Sequence, residues 1–372
     1  MENFIQPNNR PDTNNRGIAL ILTLSVIVVL VAVTFELNWQ IQGSVTSAAV
    51  MRDRLVLSQM VNSGVEIAQA ILIEDKNNSE VDSVQEDWAN PEKIEAYLSQ
   101  IPFDNGAVQL IISDERSRIQ VNALVQFPEG REFNQPQQDF WFRFMALILT
   151  QQELADASSS SLVEEVEEPS AIINPVKDWL DSNDNDLITG LNGAEKDYYL
   201  DLDPPYECRN GPFRHIEELT RVRGITPELF HAADDQMMGI ANYMTIYGQS
   251  ASGDSFTYDG KININTADMP VLAALMPLGQ EFFAPEIFNY RLESEGGQFL
   301  HELTGPAWYK EVPGCGDVEI DAALITTQSD LFRIQCGAMV NEIQMTATVI
   351  VQRDKEKESG KWYCKVLNWT NE

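Results

Sequence analysis

The residues best placed to do chemistry are oxygen ligands. Between Lys177 and Tyr199 the chain reads KDWLDSNDNDLITGLNGAEKDYY, which sets Asp178, Asp181, Asp184, Asp186, Glu195 and Asp197 within twenty residues, beside Asn183 and Asn185. Hard oxygens at alternate loop positions suit Ca²⁺, which takes about six to eight of them. Asp181-x-Asn183-x-Asn185 opens like an EF-hand loop, but the sixth position is Asp186 where Gly belongs and the twelfth is Asn192 where a bidentate Glu belongs. Glu195 would have to close a longer loop. The candidate ligands of a Ca²⁺ ion are therefore Asp178, Asp181, Asp184, Asp186 and Glu195. The competing reading is a solvated acidic loop capping a helix that ends at Leu180. Paired glycosidase acids would need a cleft from a large barrel or sandwich, and neither pattern is present.

Other chemistry is scarce. Three His (His215, His231, His301) and four well-separated Cys exclude CxxC redox motifs, zinc knuckles and HExxH helices, and there is no P-loop, GxGxxG or GxSxG. No catalytic residue is assigned and an enzyme is not expected. Lys plus Arg number 25 against 57 Asp plus Glu, a formal net charge of −32 over 372 residues. Such a chain repels phosphate backbones and anionic headgroups, so nucleic acid is not an expected partner and any membrane attachment must be hydrophobic.

The elements that would position the acids start at the N-terminus. Gly17 to Phe35, GIALILTLSVIVVLVAVTF, is uncharged for 19 residues, close to the roughly 30 Å hydrocarbon core of a bilayer at about 1.5 Å per residue. It is longer than a secretory signal core and lacks a small-x-small cleavage site after it. Arg10 and Arg16 precede it, which puts the N-terminus in the cytoplasm and the bulk of the chain outside. Leu57, Met60, Gly64, Ile67 and Ile71 recur at helical spacing, so the helix should run on to about Ile73. A short helix follows at Pro91–Gln100, then a hairpin of Ala107–Ser113 with Arg118–Val121 turning at Asp114 and Glu115, and a buried helix over Phe140–Thr150. Ala155 to Ser170 is a Ser/Glu loop. Helices are expected near Ile216–Val222, Thr226–Met237, Met269–Leu275 and Pro285–Ser294. From Phe332 the period becomes two, giving three antiparallel strands with a charged hairpin at Asp354–Gly360. Four cysteines allow three connectivities. Cys336 and Cys364 on strands of one sheet favour that pair, with Cys208 and Cys315 as the other, against the alternative that Cys336 is simply a small buried residue.

The middle of the chain repeats itself. Arg118-Ile-Gln-Val-Asn-Ala123 aligns with Lys261-Ile-Asn-Ile-Asn-Thr-Ala267, and Gly211-Pro-Phe-Arg-His-Ile-Glu-Glu-Leu219 with Gly297-Gln-Phe-Leu-His-Glu-Leu303. Asn263, Asn265 and Thr266 sit where short polar side chains can cap a helix starting near Asp268.

These features carry a resemblance. Arg16-Gly17 before an apolar run resembles the prepilin processing site of type IV pilins and pseudopilins, which a dedicated peptidase cuts between Gly17 and Ile18. Leu22 stands where most pilins carry a Glu, and its absence is similar to the K minor pseudopilins of type II secretion systems. The second repeat, KININTADMPVLAALMP with GGQFLHEL, resembles both helix-hairpin-helix modules and the helical subdomains of that family. The family is calcium-binding, and its DW-x-D…GAE…YY pattern matches Asp178, Trp179, Asp181, Gly193, Ala194, Glu195, Tyr198 and Tyr199. The resemblance implies an α+β protein: a long pilin-like N-terminal helix plus an antiparallel sheet, with a large all-α insertion of two SAM-like, helix-hairpin-helix-like subdomains. Its divisions would be a leader at 1–17, a spine at 18–73, a first α+β part at 74–121, helical subdomains at 122–260 and 261–329, and terminal strands at 330–372. It further implies an inner-membrane, single-pass subunit at the pseudopilus tip. That subunit would help assembly start in support of export across the outer membrane, with I-, J- and H-type pseudopilins and the prepilin peptidase as partners. The alternative class is a membrane-anchored, DNA-uptake-type binding module.

Overall fold

The structure, a computed structural model, describes residues 16–101, 103, 106–157, 168–182, 188–232, 239–253 and 255–371. Helix α1, Arg16–Asn78, is one continuous rod of 63 residues, about 95 Å at roughly 1.5 Å per residue. It contains no proline, and it overruns the expected stop at Ile73 by five residues before Ser79 N closes it on the Asp75 carbonyl. Its side chains from Ile18 to Leu37 are exposed, whereas Leu57, Val61, Val65, Ala68 and Leu72 are buried. The first stretch fits lipid; the second is the stripe that packs on protein.

A four-stranded antiparallel sheet lies on that stripe. Its strands are β1 (Ala107–Asp114), β2 (Leu331–Val340), β3 (Ile343–Lys355) and β4 (Trp362–Asn371), hydrogen-bonded in that order. The three late strands fall where the period of two placed them. The early hairpin does not form: β1 pairs along its whole length with β2, Ala107 opposite Met339 and Asp114 opposite Phe332. The alternating Leu110 and Ile112 need a hydrophobic partner strand, and the two-residue Ile119–Gln120 segment is too short to supply one. Helix α2, Pro91–Ser99, starts under an Asn90 cap that accepts from Glu92 N and Lys93 N.

Between β1 and β2 lies the insertion, with its own hydrophobic core. Its helices are α3 (Gln135–Ala157), α4 (Ser170–Leu180), α5 (Lys196–Leu200), α6 (Pro227–His231), α7 (Met269–Leu275) and α8 (Ala284–Tyr290). The expected segment near Ile216 forms a 3₁₀ helix, Ile216–Arg221, and residues 233–238 of the Thr226–Met237 helix lie outside the described residues. The insertion is not all-α. Ile119–Gln120 pairs in parallel with Met244–Thr245, and Ile262–Asn263 with Ile325–Thr326. Each repeat unit is thus tied shut by a two-residue ladder at its own start and end. The ladder draws residues 119–121 into the insertion, so its first unit opens ahead of Asn122.

The repeat extends to side-chain bonds. Asn122 N donates to Gln120 Oε1 at 2.7 Å, and Asn265 N donates to Asn263 Oδ1 at 3.1 Å. Asn122 Nδ2 then reaches the Phe213 carbonyl at 3.2 Å, and Asn265 Nδ2 reaches the Leu303 carbonyl at 3.2 Å. In both units a buried asparagine staples the strand end to the later Gly-x-Phe segment. The expected helix capping by Asn263, Asn265 and Thr266 is therefore overturned: Asp268 is the N-cap of α7, with no side-chain cap bond, because the three polar side chains are spent on tertiary partners.

The disulfide pairing is also overturned. All four cysteines are free thiols. Cys336 lies opposite Ala347 and Cys364 opposite Arg353, six residues apart along the intervening strand β3. That is about 20 Å at roughly 3.4 Å per residue, whereas a disulfide needs Cα atoms within about 7 Å. Cys336 Sγ instead packs against the Gly64 Cα, and Cys364 Sγ lies 3.9 Å from the Gln69 carbonyl. Cys315 is buried in the core of the insertion and Cys208 packs against it, both as free thiols, and burial pushes the Cys208 thiol up to about 12.

Candidate metal centre and insertion clasp

Helix α4 presents its apolar face, Ile172, Ile173, Val176 and Leu180, to the core of the insertion. Trp179 anchors its end by stacking on Phe213 at 6.2 Å and meeting Tyr199 edge-on at 5.2 Å. This fixes Asp178 just inside the helix and Asp181 at its C-cap, where Asp181 N closes on the Lys177 carbonyl. The chain returns past Thr189, whose N–H donates to Asp178 Oδ2 at 3.1 Å, and Ala194, whose N–H donates to the same oxygen at 2.9 Å. Glu195 then stands at the N-cap of α5.

A carboxylate oxygen from each of Asp178, Asp181 and Glu195 lies within 4.8 Å of the others, and all three residues are buried. Lys177 borders the cluster, its Nζ 2.7 Å from Asp181 Oδ2. Three buried carboxylates gathered this closely repel one another, and a cation held among them would offset that repulsion. The donors are hard oxygens, as Ca²⁺ prefers. Gly193 seals the cradle, since a Cβ there would overlap Asp178 Oδ2 and the Thr189 backbone. Of the five predicted ligands, three converge and Asp184 and Asp186 lie outside the described residues, while Asp197, the other acid of the segment, is exposed on the first turn of α5. The backbone donors Thr189 and Ala194 carry no side-chain signal in the sequence.

A second polar centre joins the insertion to the sheet, and spacing did not point to it. Asp82 N donates to the Thr327 carbonyl at 2.9 Å, and Asp82 Oδ2 accepts from Ser329 N at 2.8 Å. Asn263 Nδ2 bridges the Asp82 carbonyl at 2.9 Å and Asp114 Oδ2 at 2.7 Å, and Thr266 Oγ1 donates to that same oxygen at 2.7 Å. Glu115 receives a two-pronged ion pair from Arg333, at 2.8 and 2.9 Å, and a hydrogen bond from Thr245 Oγ1 at 2.7 Å. Arg353, fully buried, holds Asp75 at 3.0 Å and also pairs with Asp82. Burial pushes Asp114 up to about 6, while burial and then the neighbouring Glu86 and Asp82 carboxylates push Asp75 up to about 7. Asp82 and Asp114 hold the second repeat unit, and Glu115 holds the end of the first.

This clasp sits at one end of the sheet. Asn341, in the β2–β3 turn, donates to Asp53 at 3.0 Å on the spine, whereas Arg353 donates to the Leu72 carbonyl at 3.0 Å. The insertion departs after Asp114 and returns at Leu331, next to Arg353 and away from the apolar end of α1. Gly17 and Ile18 lie exposed on the first turns of α1.

Comparisons with known proteins agree with this architecture. The family described as type II secretion system (T2SS), protein K, matches residues 117–235, the stretch that holds the candidate metal centre. The chain is similar to a type II secretion system protein K of Pseudomonas aeruginosa, 26% identical over 271 residues, covering 70% of this chain and 68% of that one. It is also similar to one of Aeromonas hydrophila, 23% identical over 217 residues, covering 58% and 60%. In fold it is similar to a chain from the crystal structure of the GspK-GspI-GspJ complex of enterotoxigenic Escherichia coli, with a TM-score of 0.58 at 16% identity, covering 88% of this chain and 99% of that chain. With a pilin-like spine and sheet interrupted by this insertion, the chain carries the type II secretion system protein K domain over residues 117–235 and is similar over most of its length to protein K of type II secretion systems.

Proposed function

We propose that this protein occupies the tip of the pseudopilus, where it helps assembly start and so supports export of proteins across the outer membrane. The observation that carries this reading is the placement of the insertion, clasped to the end of the sheet farthest from the apolar segment by Asp82, Asp114 and Glu115. A subunit so crowned presents no free pilin-like end for another to stack on. It can start or cap a filament but not continue one.

The apolar part of α1 would lie in the inner membrane as a single pass, N-terminus in the cytoplasm and bulk in the periplasm, after a prepilin peptidase cuts between Gly17 and Ile18. Pseudopilins of the I and J types, the ones named with GspK in the similar solved complex, would pack along the exposed upper spine, together with an H-type subunit. Leu37, Trp39, Ile41, Val45 and Met51 are exposed there and would gain a covering. Ca²⁺ held by Asp178, Asp181 and Glu195 would neutralise their charge and lock α4 to α5. No catalytic step is assigned to the chain. N-terminal sequencing of protein extracted from membranes tests the reading: a start at Ile18, with Gly17→Ala left as uncleaved precursor and export lost, is expected. A chain that keeps Met1 while export proceeds would overturn it.

A further inference from the structure

We propose that the first repeat unit carries a groove that binds an extended, acidic peptide segment of a partner protein. The groove lies between residues 209–214 and the hairpin of Gln249–Ser252 with Ser255–Tyr258, and has a volume of about 650 Å³. Its walls are Phe213, Tyr247, Phe256 and Tyr258, with Arg209 and Arg214 beside them. Among the described residues no Asp or Glu lines it, in a chain where acids outnumber cations 57 to 25. Arg209 is offset by Glu218, its Nη1 lying 2.9 Å from Oε2, but Arg214 is exposed and forms no ion pair with a described residue. The charge at Arg214 is therefore positive on a strongly negative molecule, which favours an anionic partner there.

The aromatic walls are fixed in position. Phe213 is stapled through its N–H to Asn122 Oδ1 at 2.8 Å, Phe256 and Tyr258 pack on Phe127 at 5.4 and 5.5 Å, and the Tyr247 hydroxyl accepts from Asn368 Nδ2 at 2.9 Å. Preset aromatic and arginine side chains are what peptide-binding surfaces concentrate. The groove is elongated. Ile246 and Tyr247 also line an adjoining cleft of about 250 Å³, bordered by both Glu217 and Arg333, that runs over the outer face of the sheet to Thr348, Asn368 and Thr370. A continuous channel of that kind suits an extended chain, with a carboxylate at Arg214 and side chains laid along the aromatic wall. Nucleic acid is disfavoured, since two arginines cannot offset the net charge of −32 against a phosphate backbone.

The test uses the full chain in neutral detergent and a fluorescein-labelled decapeptide of alternating Asp and Tyr, read by anisotropy. Saturable binding is expected, weakened at least tenfold by Arg214→Glu at an unchanged melting temperature, with no saturation by the Lys-Tyr counterpart. Equal binding of the two peptides, or binding untouched by Arg214→Glu, would overturn the proposal. So would competition by oligothymidylate as effective as that of unlabelled peptide, or an acetylated Tyr-Asp dipeptide that binds as tightly as the decapeptide.

Discussion

At the scale of single residues, the molecule uses buried carboxylates in two different ways. Asp82, Asp114 and Glu115 are matched by donors: backbone N–H groups, an asparagine, a threonine and arginines. Asp178, Asp181 and Glu195 instead converge on one another, each offering a carboxylate oxygen within 4.8 Å of the others. Three carboxylate oxygens that converge in a buried place form the kind of hard-oxygen cradle Ca²⁺ takes, so the second set is the one expected to respond to Ca²⁺. Millimolar Ca²⁺ should raise the melting temperature of the full chain, by an amount that corresponds to about 2.7 kcal/mol at a concentration one hundred times Kd. Asp178→Asn should remove that rise. A parent protein indifferent to Ca²⁺ in the same melt and in calorimetric titration would remove the ion from the site.

At the scale of elements, the decisive contact is between α1 and β2. Gly64 is buried in the middle of the helix, where a glycine otherwise costs about 1 kcal/mol relative to alanine. It is kept there by close approach. A Cβ at Gly64 would overlap Cys336 Sγ and come within 3.2 Å of the Val108 side chain. Gly64→Val should therefore push the spine off the sheet and destabilise the protein by roughly 2 kcal/mol or more, the range of an overpacked core. Cys336→Ala in the same chain should recover part of that loss, a coupling that a double-mutant cycle in urea would measure. Additive losses would mean that the helix and strand do not meet at this point. The internal repeat is also an element-scale fact: its two halves share an Asn-based staple and a parallel two-residue ladder, although their helices differ in length.

At the scale of the whole molecule, three parts are held by one polar junction. Asp75 belongs to the spine, Arg353 to the sheet, and Asp82 contacts the second repeat unit, so protonation there is felt by all three. Asp75 is pushed up to about 7 and Asp114 to about 6, from an ordinary value of 3.8. Between those limits the folded chain holds protons that the unfolded chain has released. These groups therefore favour the folded state most at the acid end, and their contribution is lost as pH rises through 6 and 7. The full chain should melt at a higher temperature at pH 6 than at pH 8, and Asp75→Asn should flatten the difference. A melting temperature that climbs over this interval in the parent would contradict the assignment.

What the residues alone determined were the features that are local or periodic. A charge-free apolar run, a helical stripe from Leu57 to Ile71, strands with a period of two and the Asn-bearing repeat are each encoded over a few turns or a few strand residues, so they are legible without a fold. The three acids that meet at the candidate metal centre were also within reach, since they lie on one short segment. Tertiary structure decided what depends on distant partners. The strand Ala107–Asp114 chose a partner more than two hundred residues away, because its buried face needed a long apolar strand and Leu331–Val340 supplied it. Cys336 and Cys364 share a sheet, yet strand register places them too far apart to bond. Asn263 and Thr266 look like helix caps in sequence but spend their side chains on Asp114, whose buried charge is satisfied only when spine, sheet and insertion are brought together.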